Sequence, residues 1–258
     1  MDYLSSPMRW CEYNLGAYKY SNYIVEFENS ISSLCFCIFA VYGAYKHYKY
    51  ISNNEIWVLM SLIGITSFWF HATLSSSGQF ADEISIVLMT SYCLIILLID
   101  YVVQKHYSFE FKALYINAWI ILTPSSMFVC WAYPSYSPFI LLIEGCILSI
   151  PLICFVDIPI IKMQIIMQAA IFAGIGIIWW ALDFYCLFNA HFFWHIFISY
   201  SSYLFALSVL RSNTQLYFVN AFIPYWRIVN YETEQTPIQP PMQPPMQTPM
   251  QRCIMTTV

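Results

Sequence analysis

The sequence predicts an all-α integral membrane protein, a seven-transmembrane helix bundle with its N-terminus lumenal or extracellular and its C-terminus cytosolic. Three observations predict it. Of 258 residues, 60% are hydrophobic and only 9% charged, whereas soluble domains carry roughly a quarter charged residues. Apolar runs of about 20 residues recur along the chain, each long enough to cross a hydrocarbon core of ~30 Å. The basic residues, finally, fall almost entirely in alternate loops.

The spans read as 24–45, 56–74, 83–103, 113–133, 138–156, 164–183 and 191–210. Short connectors separate most of them and carry turn residues, among them Asn53-Asn54, Ser75-Ser76-Ser77-Gly78, Pro134 to Pro138 and Asp157-Ile158-Pro159. Lys46 and Lys49 lie between spans one and two, Lys105 and Lys112 between three and four, and Lys162 between five and six. Arg211, Arg227 and Arg252 follow span seven. Eight of the ten basic residues thus share one face, and the positive-inside rule places that face in the cytosol. An even number of spans spoils the pattern. The net charge of -4 says little beside this placement, and no nucleic-acid partner is expected.

Three regions follow: a lumenal segment, 1–23; a seven-span domain, 24–227; and a tail, 228–258. Residues 1–22 lack the apolar stretch of a cleavable signal peptide, so the first hydrophobic helix is expected to target and anchor the chain. The apolar run Leu216–Trp226 can lie along the interface. The tail repeats Pro-Pro-Met-Gln at 240–243 and 244–247, with Thr-Pro-Met-Gln at 248–251. Proline at this density excludes helix and favours an extended or disordered segment, either a spacer or a docking peptide for a proline-reading domain. Cys253 is sixth from the end, so no prenylation box forms.

Polar side chains inside apolar spans are costly and need a partner or a purpose. Span two ends with Ser67 to His71, span three opens with Asp82-Glu83, span six ends with Asp183, and span seven opens with His191 to His195. The topology puts all four sets at the non-cytosolic end of their helices. His191 and His195 are spaced i, i+4, which stacks two imidazoles on one helix face, a spacing common in zinc-binding helices. His71 can supply a third ligand, and three histidines with an open fourth position describe a catalytic zinc. Histidines so placed can instead hydrogen-bond across helices or sit at the interface beside aromatic residues. His47 and His106 lie beside lysines in cytosolic loops. Glu144, inside span five, suits a structural role against neighbouring hydroxyls better than catalysis.

Four segments carry a resemblance: Trp10-Cys11-Glu12-Tyr13-Asn14; Tyr23 to Ser30; Ser67 to His71 followed by Asp82-Glu83; and Trp180 to Cys186 with His191 to His195. Over residues 9 to 211 the chain resembles the alkaline ceramidase family, part of a broader superfamily that includes adiponectin-receptor-like proteins. The resemblance implies zinc-dependent hydrolysis of the amide bond of ceramide to sphingosine and a fatty acid, with ceramide entering within the bilayer. It implies zinc ligation by His71, His191 and His195, an oxyanion contact from Ser67, and water orientation and proton transfer by Asp82. It further implies a calcium site at Trp10 (through its carbonyl), Glu12, Asn14 and Glu26. The family's leading aspartate is Arg9 here, which removes an anionic ligand, adds a cation, and is expected to weaken calcium binding; that arginine can pair with Glu12 and Glu26 instead. Cys11 and Cys186, both non-cytosolic and both present in the family, are expected to form a disulfide. Asp183, near that bond, is expected to be a hydrogen-bonding anchor.

An endoplasmic reticulum or Golgi membrane is the expected location. The competing reading is a non-catalytic or signalling seven-span zinc-binding receptor of the adiponectin-receptor-like type, against which Asp82 argues. A channel or transporter finds no support in duplicated halves or paired broken helices.

Overall fold

The computed structural model describes residues 4–47, 55–97, 109–143 and 160–209. All lie in the first of two compact units, Met1–Asn213; the second, Thr214–Val258, lies outside the described residues. So do span five beyond residue 143 with Glu144, the run Leu216–Trp226 and the 228–258 tail.

Among the described residues every regular element is a helix. They are α1 (Cys11–Gly16), α2 (Phe27–Ser33), α3 (Cys35–His47), α4 (Glu55–Thr73), α5 (Ser76–Leu97), α6 (Phe109–Ala132), α7 (Ile160–Asp183) and α8 (His191–Val209). Residues 137–143 are also helical. Among the described residues, four helical segments are long and apolar enough to cross a membrane: Phe27–His47, Glu55–Thr73, Lys162–Asp183 and His191–Val209. The chain is a membrane protein by these helices. In α5 the polar residues Gln79, Asp82 and Glu83 occupy the first two turns, and the apolar part of α6 is confined to Ile116–Ala132.

The first of these segments is interrupted at Leu34, between α2 and α3. The cause lies in its serines. The Ser30 hydroxyl donates to the Glu26 carbonyl at 2.5 Å, Ser32 to Asn29 at 3.1 Å and Ser33 to Ser30 at 2.7 Å. Hydroxyls that return to the preceding turn satisfy themselves without water and bend the helix that carries them. The bend lets α2 pack on both α4 and α8 while α3 continues along them.

Helix α5 begins seven residues earlier than the sequence suggests. The serine-rich stretch expected to be a loop is instead its cap and first turn. Ser75 accepts the Gly78 N–H on its hydroxyl at 3.1 Å, the N-cap contact that supplies a partner to an otherwise orphaned amide. Gly78 also lies against the last turn of α4, where a Cβ would stand 3.0 Å from Phe70 Cα. Asp82 and Glu83 therefore sit in the second turn of α5, beside the end of α4 rather than beyond it.

The N-terminal segment completes α4. A helix leaves its last four carbonyls without partners, and here each finds one. Phe70 O accepts the Leu74 N–H at 2.6 Å, His71 O that of Glu26 at 3.1 Å, Ala72 O that of Val25 at 3.0 Å and Thr73 O that of Leu4 at 3.0 Å. Ser6 adds a bond to Leu74 O at 2.9 Å. The segment is thus strapped across the end of α4 that carries His71. Trp10, Val25, Phe70, Leu74 and Trp180 form the apolar cluster beneath it.

Candidate metal centre and its cavity

Two helix ends bring three histidines together under the N-terminal strap. His71 comes from the last turn of α4, and His191 and His195 from the first turns of α8. Their side chains are 1%, 3% and 2% exposed, and one potential ligand atom from each lies within 4.8 Å of the others. The i, i+4 spacing on α8 puts its two rings in an edge-on pair, centroids 4.6 Å apart, with His71 at 5.1 and 4.9 Å from them.

The surroundings fix how these rings face. His71 Nδ1 lies 2.7 Å from Glu26 Oε2, and His195 Nδ1 lies 2.8 Å from the Ser32 hydroxyl. Both rings are therefore held on Nδ1, which leaves Nε2 toward the centre; a histidine fixed on its outer nitrogen in this way suits metal ligation. His191 is held differently. The Trp10 indole stacks on it at 3.8 Å between centroids and 20° between planes, and its Nδ1 is buried without a hydrogen-bond partner. Three convergent, buried imidazoles, two of them oriented from behind, fit a divalent transition metal.

Carboxylates hold the helix ends in place. Asp183 Oδ1 accepts the Ala190 and His191 N–H groups at 3.0 and 2.9 Å, and its Oδ2 accepts that of Cys11 at 2.9 Å. It thereby caps α8 and ties α1 to it. Cys11 and Cys186 are disulfide-bonded beside this anchor, Cα atoms 4.9 Å apart. Glu12 plays the same part for α2, accepting the Glu28 and Asn29 N–H groups at 2.7 and 2.8 Å. Burial pushes the Glu12 carboxyl up to about 7, against the lowering effect of those two amides.

The four residues expected at a calcium site lie as follows. Glu12 caps α2 and also accepts from Asn189 at 3.3 Å. Glu26 accepts from Trp10 N–H at 3.0 Å and the Asn29 amide at 3.1 Å, and faces His71. The Trp10 carbonyl accepts the Tyr13 N–H at 3.1 Å, and Asn14 is exposed on α1. Among the described residues, the one group of three or more His, Cys, Asp or Glu placed to hold a metal is the histidine triad. The pairing of Arg9 with Glu12 and Glu26 is not what forms. Arg9 lies over the Tyr13 ring at 4.6 Å and donates to its hydroxyl at 3.1 Å. Both carboxylates are buried and already supplied with donors, so the cation stays outside. His47, expected in a loop, ends α3 instead, 6% exposed and stacked on Trp57.

Ser67 and Asp82 join the centre across the α4–α5 turn. The Ser67 hydroxyl lies close enough to act on the Asp82 carboxyl, and Asp82 Oδ1 is buried without a partner. Both residues, with all three histidines, line a cavity of about 510 Å³. The remainder of its wall is mostly apolar and runs down the bundle, through Ile63, Met89, Ile166 and Phe205 among others. Volume and lining suit a hydrophobic ligand with one polar end. Sequence reasoning did not find Ser32 or the orienting role of Glu26, because both depend on contacts between residues 163 and 45 positions apart.

Comparison with known proteins decides the family. Residues 2–236 match the Ceramidase family. The chain belongs to that family. The match reaches past residue 211, where the sequence resemblance was expected to end. An alkaline ceramidase of Drosophila melanogaster is 27% identical over 225 residues, which cover 77% of this chain and 74% of that protein. Alkaline ceramidase 1 of Homo sapiens is 38% identical over 90 residues, 33% of each chain. The alkaline ceramidase of Caenorhabditis elegans is 28% identical over 156 residues, 54% of this chain and 56% of that protein. The chain is a hydrolase of the ceramidase class.

Proposed function

We propose that this chain hydrolyses the amide bond of ceramide, releasing sphingosine and a fatty acid, at a zinc centre held by His71, His191 and His195. One observation carries the reading: a buried histidine triad opens, together with Ser67 and Asp82, onto an apolar cavity of about 510 Å³. Zinc held by such a triad would polarise an amide carbonyl and lower the pKa of water to about 7.

The chain's own residues do the rest. The apolar wall takes the lipid's hydrocarbon and holds the amide at the triad, excluding bulk water. Asp82, whose Oδ1 is unpartnered, accepts the proton of the attacking water and returns it to the leaving sphingosine amine. Ser67 donates to the amide oxygen as negative charge gathers on it. Glu26 and Ser32 keep His71 and His195 aimed at the centre, and Trp10 seals His191 from above. A receptor that uses metal only for structure has no need of a buried carboxylate on the cavity wall.

The proposal includes seven spans with a lumenal segment 1–23, a hydrolase domain 24–227, and a cytosolic tail 228–258 open to a proline-reading domain. A disulfide fits a lumenal face, in endoplasmic reticulum or Golgi membrane. Calcium, in this reading, binds weakly because of Arg9. The ligand assignment is tested by metal content. A His191→Ala/His195→Ala variant that still inserts should hold no zinc, and full zinc occupancy in it would remove the triad from the account.

A further inference from the structure

Glu83 follows Asp82 on α5, and the mechanism above leaves it unused. It is 5% exposed and lies on the cavity wall. Its two carboxyl oxygens differ. Oε1 accepts from Gln79 Nε2 at 2.8 Å and from the Ser137 hydroxyl. Gln79 in turn accepts from the Ser6 hydroxyl at 2.6 Å and donates to Pro134 O at 2.7 Å. Oε1 is thus the centre of a network that ties the N-terminal strap to α5 and to the 134–137 turn, which gives it a full structural account. Oε2 has none. It is buried without a hydrogen-bond partner, and the Cys130 thiol that interacts with the same carboxyl is a weak donor. A buried carboxyl oxygen left in this state is costly, and such a group in a native structure calls for a partner or a role.

We propose that Glu83 reads the substrate: its Oε2 bonds a hydroxyl of the lipid's polar end while Asp82 acts on the neighbouring amide. The proposal rests on the ceramidase reading given above. A hydroxyl is both donor and acceptor, so it satisfies Oε2 whether or not the carboxyl carries a proton. The substrate has such groups where they are needed, because the hydroxyl-bearing carbons of sphingosine flank the carbon that bears the amide nitrogen. Consecutive residues of a helix point about 100° apart, and Asp82 and Glu83 both still face the cavity. One carboxyl then attends the amide and the next one its flank. The carboxyl would also reject lipids whose polar end is anionic.

The test measures kcat/KM of the full-length, zinc-replete protein on ceramide and on two analogues, one lacking the primary hydroxyl and one the secondary. Wild type should favour ceramide over one analogue by about 10- to 100-fold, because a site built to bond a hydroxyl is left unpaired by a substrate without it. Glu83→Ala should lose that preference, ceramide turnover falling to the level of the affected analogue. Glu83→Gln, which keeps hydrogen-bonding capacity at both positions, should retain most of it. Equal wild-type turnover of all three lipids overturns the proposal and needs no variant to fold. A Glu83→Ala variant that slows ceramide and both analogues alike, and so keeps the wild-type preference, also overturns it, since that is the mark of a structural tie alone. If wild type hydrolyses none of the three, the ceramidase reading itself fails, and the inference falls with it.

Discussion

Glu26 is the residue whose replacement tests the histidine centre most finely without touching a proposed zinc ligand. Its carboxylate accepts from Trp10 N–H at 3.0 Å, from the Asn29 amide at 3.1 Å, and faces His71 Nδ1 at 2.7 Å. Glu26→Gln keeps the shape and one acceptor oxygen. If that oxygen stays on Trp10 N–H, the new amide nitrogen faces Asn29 and His71. Asn29 can adapt by turning its side chain over, because its Oδ1 has no partner. His71 cannot adapt so easily. To meet an N–H donor it must leave Nδ1 bare and move its proton to Nε2, the nitrogen aimed at the centre. Loss of such an outer partner typically weakens metal binding by about 10- to 100-fold, or ~1.4–2.7 kcal/mol. The assay is competition for zinc against a chelator of known affinity, with purified wild type and variant in the same detergent. Glu26→Gln should lose zinc at about 10- to 100-fold lower chelator strength while its helical content stays that of wild type. Equal zinc affinity in the two proteins would refute the claim that Glu26 orients His71.

Three further outcomes are expected. Asp82→Asn should keep its zinc but lose about 100- to 10,000-fold in ceramide turnover, the usual worth of a general base; wild-type turnover would remove Asp82 from the mechanism. Peptide mapping without reduction should recover Cys11 joined to Cys186, and Cys11→Ser should lower stability by about 2–5 kcal/mol in thermal or denaturant unfolding; an unchanged unfolding curve would count against a structural role for the bond. Titration of activity against free calcium, with zinc replete, should show little activation in wild type and more in Arg9→Asp, which removes the cation over Tyr13 and returns an anionic oxygen; strong micromolar activation of wild type with no shift in Arg9→Asp contradicts this.

The parts of the fold legible in the sequence were those set by local rules. Apolar runs announced helices α4, α7 and α8 to within a few residues, because a bilayer leaves the backbone no alternative. The gathering of His71, His191 and His195 could be anticipated from depth alone, since topology assigns each helix end to a face. What lay beyond reach depended on pairings across the chain. The serines at 75–77 look like a loop until Phe70 and Gly78 are seen to touch, which makes Ser75 a cap and moves Asp82 back by a helical turn. Arg9 looks like a partner for Glu12 and Glu26 until the amides of Trp10, Glu28 and Asn29 are seen to occupy them. Ser32 carries no signal of its own, and Glu83 stands out in the sequence only as a polar neighbour of Asp82 with no role attached. Only the burial of one against His195, and the unpartnered oxygen of the other, gives them a reading.

The central claim is that zinc held by this triad drives hydrolysis of ceramide, and release of sphingosine by the purified protein tests it most directly. Wild type in lipid–detergent micelles should convert ceramide to equal amounts of sphingosine and fatty acid. A strong chelator should abolish conversion, and stoichiometric zinc should restore it. The His191→Ala/His195→Ala variant should stay inactive throughout. Undiminished sphingosine release in a preparation shown to be free of metal would contradict the account.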